Sequence, residues 1–95
     1  MLMTDNGHSR AELDARRRKL RFRSWHRGMR EMDLLLGPFA DARIDDLTEE
    51  QIDQYESLLE VVDPELLPIL TGEKPVPSGV HSEILKEIVA FRQTS

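Results

Sequence analysis

The sequence predicts an all-α fold, a compact five-helix bundle forming a single small domain, and three observations carry that expectation. Apolar residues recur at i, i+3, i+4 and i+7 in several runs, the spacing that lines one face of a helix. No segment alternates apolar and polar residues as a half-buried strand does. Proline, glycine and capping residues fall between the runs, where helix ends need them.

Ninety-five residues suffice for one hydrophobic core and leave little for a second. Residues 1–9, which contain Asn6-Gly7 and show no periodicity, read as a flexible tail, and residues 10–95 as the domain. From Ser9 or Arg10 the run "AELDARRRKLRFRSWHR" is rich in helix formers and free of proline, so a first helix should reach about Arg27. Leu13, Leu20, Phe22, Trp25 and Met29 give it a narrow apolar stripe among arginines. A second helix from about Met29 carries Met32, Leu35, Leu36, Phe39 and Ala40 on one face. Gly37-Pro38 should kink or stop it, with any last turn ending at Arg43, because proline lacks the amide donor and its ring presses on the carbonyl four residues back. Ile44 to Leu47 then forms a connector.

Thr48 and Gln51 have capping-box spacing, with Glu49 and Glu50 where a helix start favours acids, so a third helix begins there. Its stripe of Ile52, Tyr55, Leu58, Leu59 and Val62 predicts that it runs to Asp63-Pro64. Asp63 should cap a fourth helix with Pro64 in its first turn, bearing Leu66, Leu67, Ile69 and Leu70 and stopped by Gly72; Pro68 limits it to about two turns. The loop "GEKPVPSG" leads to a fifth amphipathic helix through Val80, Ile84, Leu85, Ile88, Val89 and Phe91.

Composition bounds the chemistry. There is no cysteine, so thiolate metal sites, disulfides and cysteine nucleophiles are excluded. No apolar run nears the roughly 18–20 residues that cross a bilayer, and direct membrane insertion is not expected. No nucleophile-base pair or paired-carboxylate pattern is visible, so the expectation is a protein that is not an enzyme and has no catalytic residue. His8, His26 and His81 are scattered, the acidic run from Asp41 to Glu50 lacks the alternating ligands and glycine of a calcium loop, and no glycine-rich phosphate loop occurs. Neither a metal nor a cofactor is expected on this chain.

Charge is divided along the sequence. Residues 1–31 hold nine Lys/Arg against four Asp/Glu, whereas residues 32–95 hold four against fourteen. A basic front suggests an acidic or polar partner. The stretch "RRRKLRFRSWHR" supports an alternative in which arginines contact phosphates while Phe22 and Trp25 stack on bases, the behaviour of a small nucleic-acid-binding or regulatory protein. A plain adaptor bundle is a third reading.

Between Trp25 and Phe39 the chain reads "WHRGMREMDLLLGPF", and Gly28 stands between Arg27 and Glu31. Either Gly28 stops the first helix as a left-handed cap, or it is a flat place where another backbone comes close. Physics of the local sequence leaves both open. The residues Arg27-Gly28-Met29-Arg30-Glu31, followed by Met32-Asp33-Leu34-Leu35-Leu36 and Pro38-Phe39, resemble the RGxxE-motif region of the SdhE-type succinate dehydrogenase assembly factors, the flavinylation factors of bacteria and mitochondria. The likeness continues through "LTEEQIDQYESLLE", Asp63-Pro64-Glu65-Leu66 and Lys74-Pro75.

That resemblance implies a non-catalytic assembly factor, a monomer when free, that binds the immature flavoprotein subunit of succinate dehydrogenase or fumarate reductase and promotes covalent FAD attachment to it. It implies no nucleic acid as partner, and a location in the bacterial cytoplasm or, in a eukaryote, the mitochondrial matrix. Arg27, Gly28, Met29, Arg30, Glu31, Trp25 and Asp33 are then the expected partner-binding residues. Arg27 is expected to pair with a partner acceptor, Glu31 to orient Arg27 or accept a partner donor, and Gly28 to admit the partner backbone, so that Gly28→Arg should abolish binding with helix content nearly intact.

Overall fold

Five α-helices and one 3₁₀ turn account for most of residues 10–94, the part of the chain that the computed structural model describes. They are α1 (Arg10–Trp25), α2 (Arg30–Arg43), the 3₁₀ turn (Ile44–Asp46), α3 (Glu49–Leu58), α4 (Asp63–Leu70) and α5 (Ser82–Thr94). No strand occurs among the described residues. The expected tail and His8 lie outside them.

All five helices feed one core. Leu20 from α1, Met32, Leu36 and Phe39 from α2, Tyr55 and Leu58 from α3, Leu66 and Leu70 from α4, and Ile84, Leu85 and Ile88 from α5 are buried together. The aromatic members interlock edge-on, Phe39 with Tyr55 at 5.9 Å and with Phe91 at 5.7 Å between ring centroids.

Where the local chemistry is strong, the elements begin and end as expected. At α3 the Thr48 hydroxyl accepts the Gln51 amide at 3.1 Å while the Gln51 side chain accepts the Thr48 amide at 2.9 Å, closing both arms of the capping box. Pro64 sits in the first turn of α4, and Gly72 follows its end with φ +87.

Several expectations are corrected. The early stop at Gly37-Pro38 does not occur, and α2 runs through Pro38 to Arg43, where its last turn is expected to end. Residues that precede proline usually avoid helical angles because their Cβ and amide crowd the proline ring, and Gly37 has no Cβ to crowd it. Helix α3 ends at Leu58 instead of reaching Asp63. Its last turn tightens through Glu60 N–H to Ser57 O (3.1 Å) and Val61 N–H to Leu58 O (3.0 Å), leaving Val62 extended and exposed. Asp63 does not cap α4 by a side-chain bond; Val62 holds the cap position, and the Asp63 carboxylate is engaged elsewhere. Helix α1 ends at Trp25, before Arg27, and its buried face is not the stripe expected. Phe22 is exposed and stacks on His26 at 4.0 Å, while Ser24 takes the core position one turn after Leu20. Val80 likewise lies outside α5 and is exposed.

Ser24 is tolerated there because both its polar capacities are met. Its hydroxyl donates to Leu20 O at 2.7 Å and pairs with the Tyr55 hydroxyl at 2.5 Å. Burial pushes the Tyr55 phenol up to about 12, against an opposing pull from its bond to Ser24.

Candidate functional site

Between α1 and α2 the chain turns a corner at residues 26–29, and Gly28 makes the turn with φ +94. An L side chain rarely adopts that conformation, so the helix-stop reading of Gly28 accounts for the glycine. Space above it is nonetheless open: a Cβ built at Gly28 has no neighbour within 4 Å. A second glycine meets a close neighbour inside the chain. At Gly37 a Cβ would sit 2.3 Å from Trp25 Cδ2, so the indole lies directly on the α2 backbone. Its Nε1–H donates to Asp41 Oδ2 at 3.2 Å. Trp25, expected to meet a partner, is therefore half-buried against its own chain.

Arg27 is turned inward as well. Its side chain is only 12% exposed, and its donors are distributed among Asp63 Oδ1 (Nε, 3.0 Å; Nη2, 2.5 Å), Leu59 O (Nη1, 2.5 Å) and Val61 O (Nη2, 2.8 Å). The guanidinium bridges the carbonyl end of α3 to the first residue of α4. A cation is favoured at the former, and the carboxylate that it binds is favoured at the latter. These bonds also explain why the freed carbonyls after α3 are not left bare. Within the chain itself the Arg27 side chain is thus oriented by Asp63.

Asp33 has an internal role too. Its Oδ1 accepts the Arg27 backbone N–H at 2.8 Å, tying the turn to the first coils of α2. Beyond Arg27 the chain faces outward, and Gly28, Met29, Arg30 and Glu31 are all exposed. Arg30 and Glu31 make no hydrogen bond or ion pair among the described residues. Leu34, one turn on, is 54% exposed and extends the patch along the same face of α2. Leu34 was missed in the sequence because the apolar stripe around it reads as core throughout. Asp63 was missed because it is remote from Arg27 in the chain.

The basic front finds its acidic partner inside the molecule. Arg16 forms a two-pronged pair with Glu56 (2.9 and 2.8 Å) and binds Asp53; the hydrogen bonds it donates to Glu56 and then to Asp53 raise its pKa above the usual guanidinium value. Arg17 donates to Ile44 O and Leu47 O at 3.2 and 3.1 Å. Arg21 lies 3.4 Å from Asp41 and 3.5 Å from Asp45, and Arg23 binds Glu60 at 2.9 Å. The arginines that would grip phosphates are largely engaged by acids of the later segments, which removes much of the support for the nucleic-acid alternative. His26 donates its Nδ1–H to Phe22 O at 2.7 Å, and His81 Nε2 meets Ser57 Oγ at 2.9 Å. Among the described residues no three His, Asp or Glu side chains are placed to hold a metal ion, and no helix is long and apolar enough to cross a membrane.

A family model described as the flavinator of succinate dehydrogenase matches residues 18–92. The chain is 40% identical over 84 residues to the FAD assembly factor SdhE of Acetobacter pasteurianus, a match covering 88% of this chain and 77% of that protein. It is 41% identical over 76 residues to the mitochondrial succinate dehydrogenase assembly factor 2 of Dictyostelium discoideum, with 80% of this chain and 54% of that one covered. The corresponding protein of Candida glabrata is 35% identical over 85 residues, covering 85% and 56%. The chain thus spans about half the length of these two mitochondrial relatives. No solved structure matches it.

Proposed function

This chain belongs to the flavinator of succinate dehydrogenase family, and from that premise we propose that it binds the immature flavoprotein subunit of succinate dehydrogenase, or of fumarate reductase, and promotes covalent attachment of FAD there. The role is that of a non-catalytic assembly factor, acting as a monomer wherever its client matures, in the bacterial cytoplasm or the mitochondrial matrix.

The observation that carries the docking surface is the exposed run Gly28–Glu31 on a backbone held rigid from within. Gly28 leaves room for a partner backbone, Met29 and Leu34 offer apolar contact, and Arg30 and Glu31 present charges that have no partner among the described residues. Such a patch suits a protein visitor, with adaptable apolar anchors beside unpaired polar groups. Of the two roles expected for Glu31, accepting a donor from the partner is the one the geometry favours, since Arg27 is already held by Asp63.

Attachment of a flavin to a side chain of the client requires the two to be held in a reactive arrangement, and orientation alone lowers such a barrier. The assembly factor supplies no reacting group in this account. By binding the attachment-ready form of the client more tightly than the open form, it shifts the population toward the former.

Co-expression of the flavoprotein subunit with and without this chain, followed by denaturing electrophoresis and in-gel flavin fluorescence, tests the proposal. Flavin should remain bound to the denatured subunit only, or mainly, when the chain is present. Equal fluorescence in both lanes overturns it.

A further inference from the structure

From the same corner we infer that Asp63 and Asp33 are positioning residues, which hold Arg27 by its side chain and its backbone and so set the shape of the exposed Gly28–Glu31 run before a client arrives. The inference rests on the docking role proposed for that run and adds residues that do not touch the client in it.

The geometry is that of a two-point clamp. Asp33 Oδ1 fixes the Arg27 amide at 2.8 Å from the α2 side. Asp63 Oδ1 receives both Nε and Nη2 of Arg27 from the α4 side, and the Leu59 and Val61 carbonyls take the remaining direction. One residue is thereby anchored to α2, to the end of α3 and to the start of α4, immediately before a glycine whose backbone has wide freedom. Without the anchors the turn would be an ordinary flexible loop, and its ordering would count against binding; with them the loss is already met in the free protein. Arg27 accordingly serves as a strut, with its side chain largely withdrawn into the protein.

A rival account is that the clamp merely stabilises the fold. The pair of Arg16 with Glu56 provides the control, because it joins α1 to α3 by the same chemistry near the middle of α1, away from the corner. The experiment measures the affinity of purified variants for the isolated flavoprotein subunit of succinate dehydrogenase, amide hydrogen exchange at residues 28–31, and the urea midpoint. Asp63→Asn and Asp33→Ala are each expected to weaken binding about tenfold and to speed exchange locally, whereas Glu56→Gln does neither. Should Asp63→Asn not fold, Arg27→Lys tests the same point, since a compact ammonium replaces the planar fork that spans Leu59, Val61 and Asp63.

Native affinity in the Asp63 and Asp33 variants, with loss of binding in Glu31→Gln, overturns the inference and leaves the docking surface standing. Native affinity in all of them, Glu31→Gln included, overturns the docking surface itself. Equal weakening by Glu56→Gln assigns the effect to fold stability and also overturns the inference.

Discussion

Gly28 and Gly37 occupy the two sides of one junction, and they are glycine for opposite reasons. Gly28 bends the chain outward through a positive φ with open space around it; Gly37 lies inside regular α2, with the Trp25 ring where its side chain would be. The first is a demand on the backbone and the second a demand on volume. On the inward side, Trp25, Gly37, Ser24 and Tyr55 seal α1 to the core. On the outward side, the residues from Gly28 to Glu31 are left uncovered. The comparison teaches that two glycines a few residues apart can answer separate demands, one of backbone hand and one of internal packing.

The inward side should be the costlier to disturb. Gly37→Ala places a methyl where the indole sits and should destabilise by about 3 kcal/mol, the range of overpacking in a filled interior. The chain has one tryptophan, so its fluorescence reports the displacement directly in a urea titration. Pairing Gly37→Ala with Trp25→Leu should cost less than the sum of the two changes, because the smaller side chain vacates the space the methyl needs. Simple additivity would show that the two residues do not share that space.

Tyr55 gives the inward side a pH signature. Its pKa rises from 10.0 to about 12 on folding, so the folded form holds its proton more tightly than the unfolded chain. That contribution is fully present below pH 10 and is lost as pH climbs through the folded value. Stability should fall by roughly 2–3 kcal/mol between about pH 10 and 12 on this group's account. Tyr55→Phe should flatten the loss in that window, read as the urea midpoint against pH. An unchanged slope would assign the alkaline loss to other groups.

How far the sequence discloses such a division follows from the range of the interactions. Capping at Thr48, the proline start of α4 and the glycine after it are settled within four or five residues, and they are legible. The end of α3 is not, because the Leu59 and Val61 carbonyls are satisfied by Arg27 from across the fold. Nor is the continuity of α2 through Pro38, which depends on Gly37 and on the indole above it. The motif could be located in the sequence, yet the inward or outward direction of each of its side chains could not. A run of Arg-Gly-Met-Arg-Glu carries no mark that its first arginine has an aspartate waiting thirty-six residues later.

The outward glycine should show a smaller effect. Gly28→Ala should cost about 1 kcal/mol, since φ +94 is a strained setting for any L residue even in open space. D-alanine placed at residue 28 by chemical ligation should remove the penalty, because the positive φ is natural to it. Equal destabilisation by both enantiomers would mean that volume, and not backbone hand, decides. The same strain makes Gly28→Arg an imperfect probe of docking: it changes the fold's stability as well as the surface.

Glu31 is the cleaner probe, and it carries the smallest effect on the free protein. It is exposed on the first turn of α2, where a carboxylate gains a little from the helix start, and it makes no bond to the rest of the described chain. Glu31→Gln keeps its length and helix propensity, so the urea midpoint should move by no more than about 0.5 kcal/mol. Flavin attachment to the client in the co-expression assay should nonetheless drop well below the parent level, because a partner donor would lose its charged acceptor while the neutral amide remains. A large stability change would mean that Glu31 faces inward after all. Unaltered stability with unaltered flavin attachment would leave the outward side of this junction without a function at its most accessible charge.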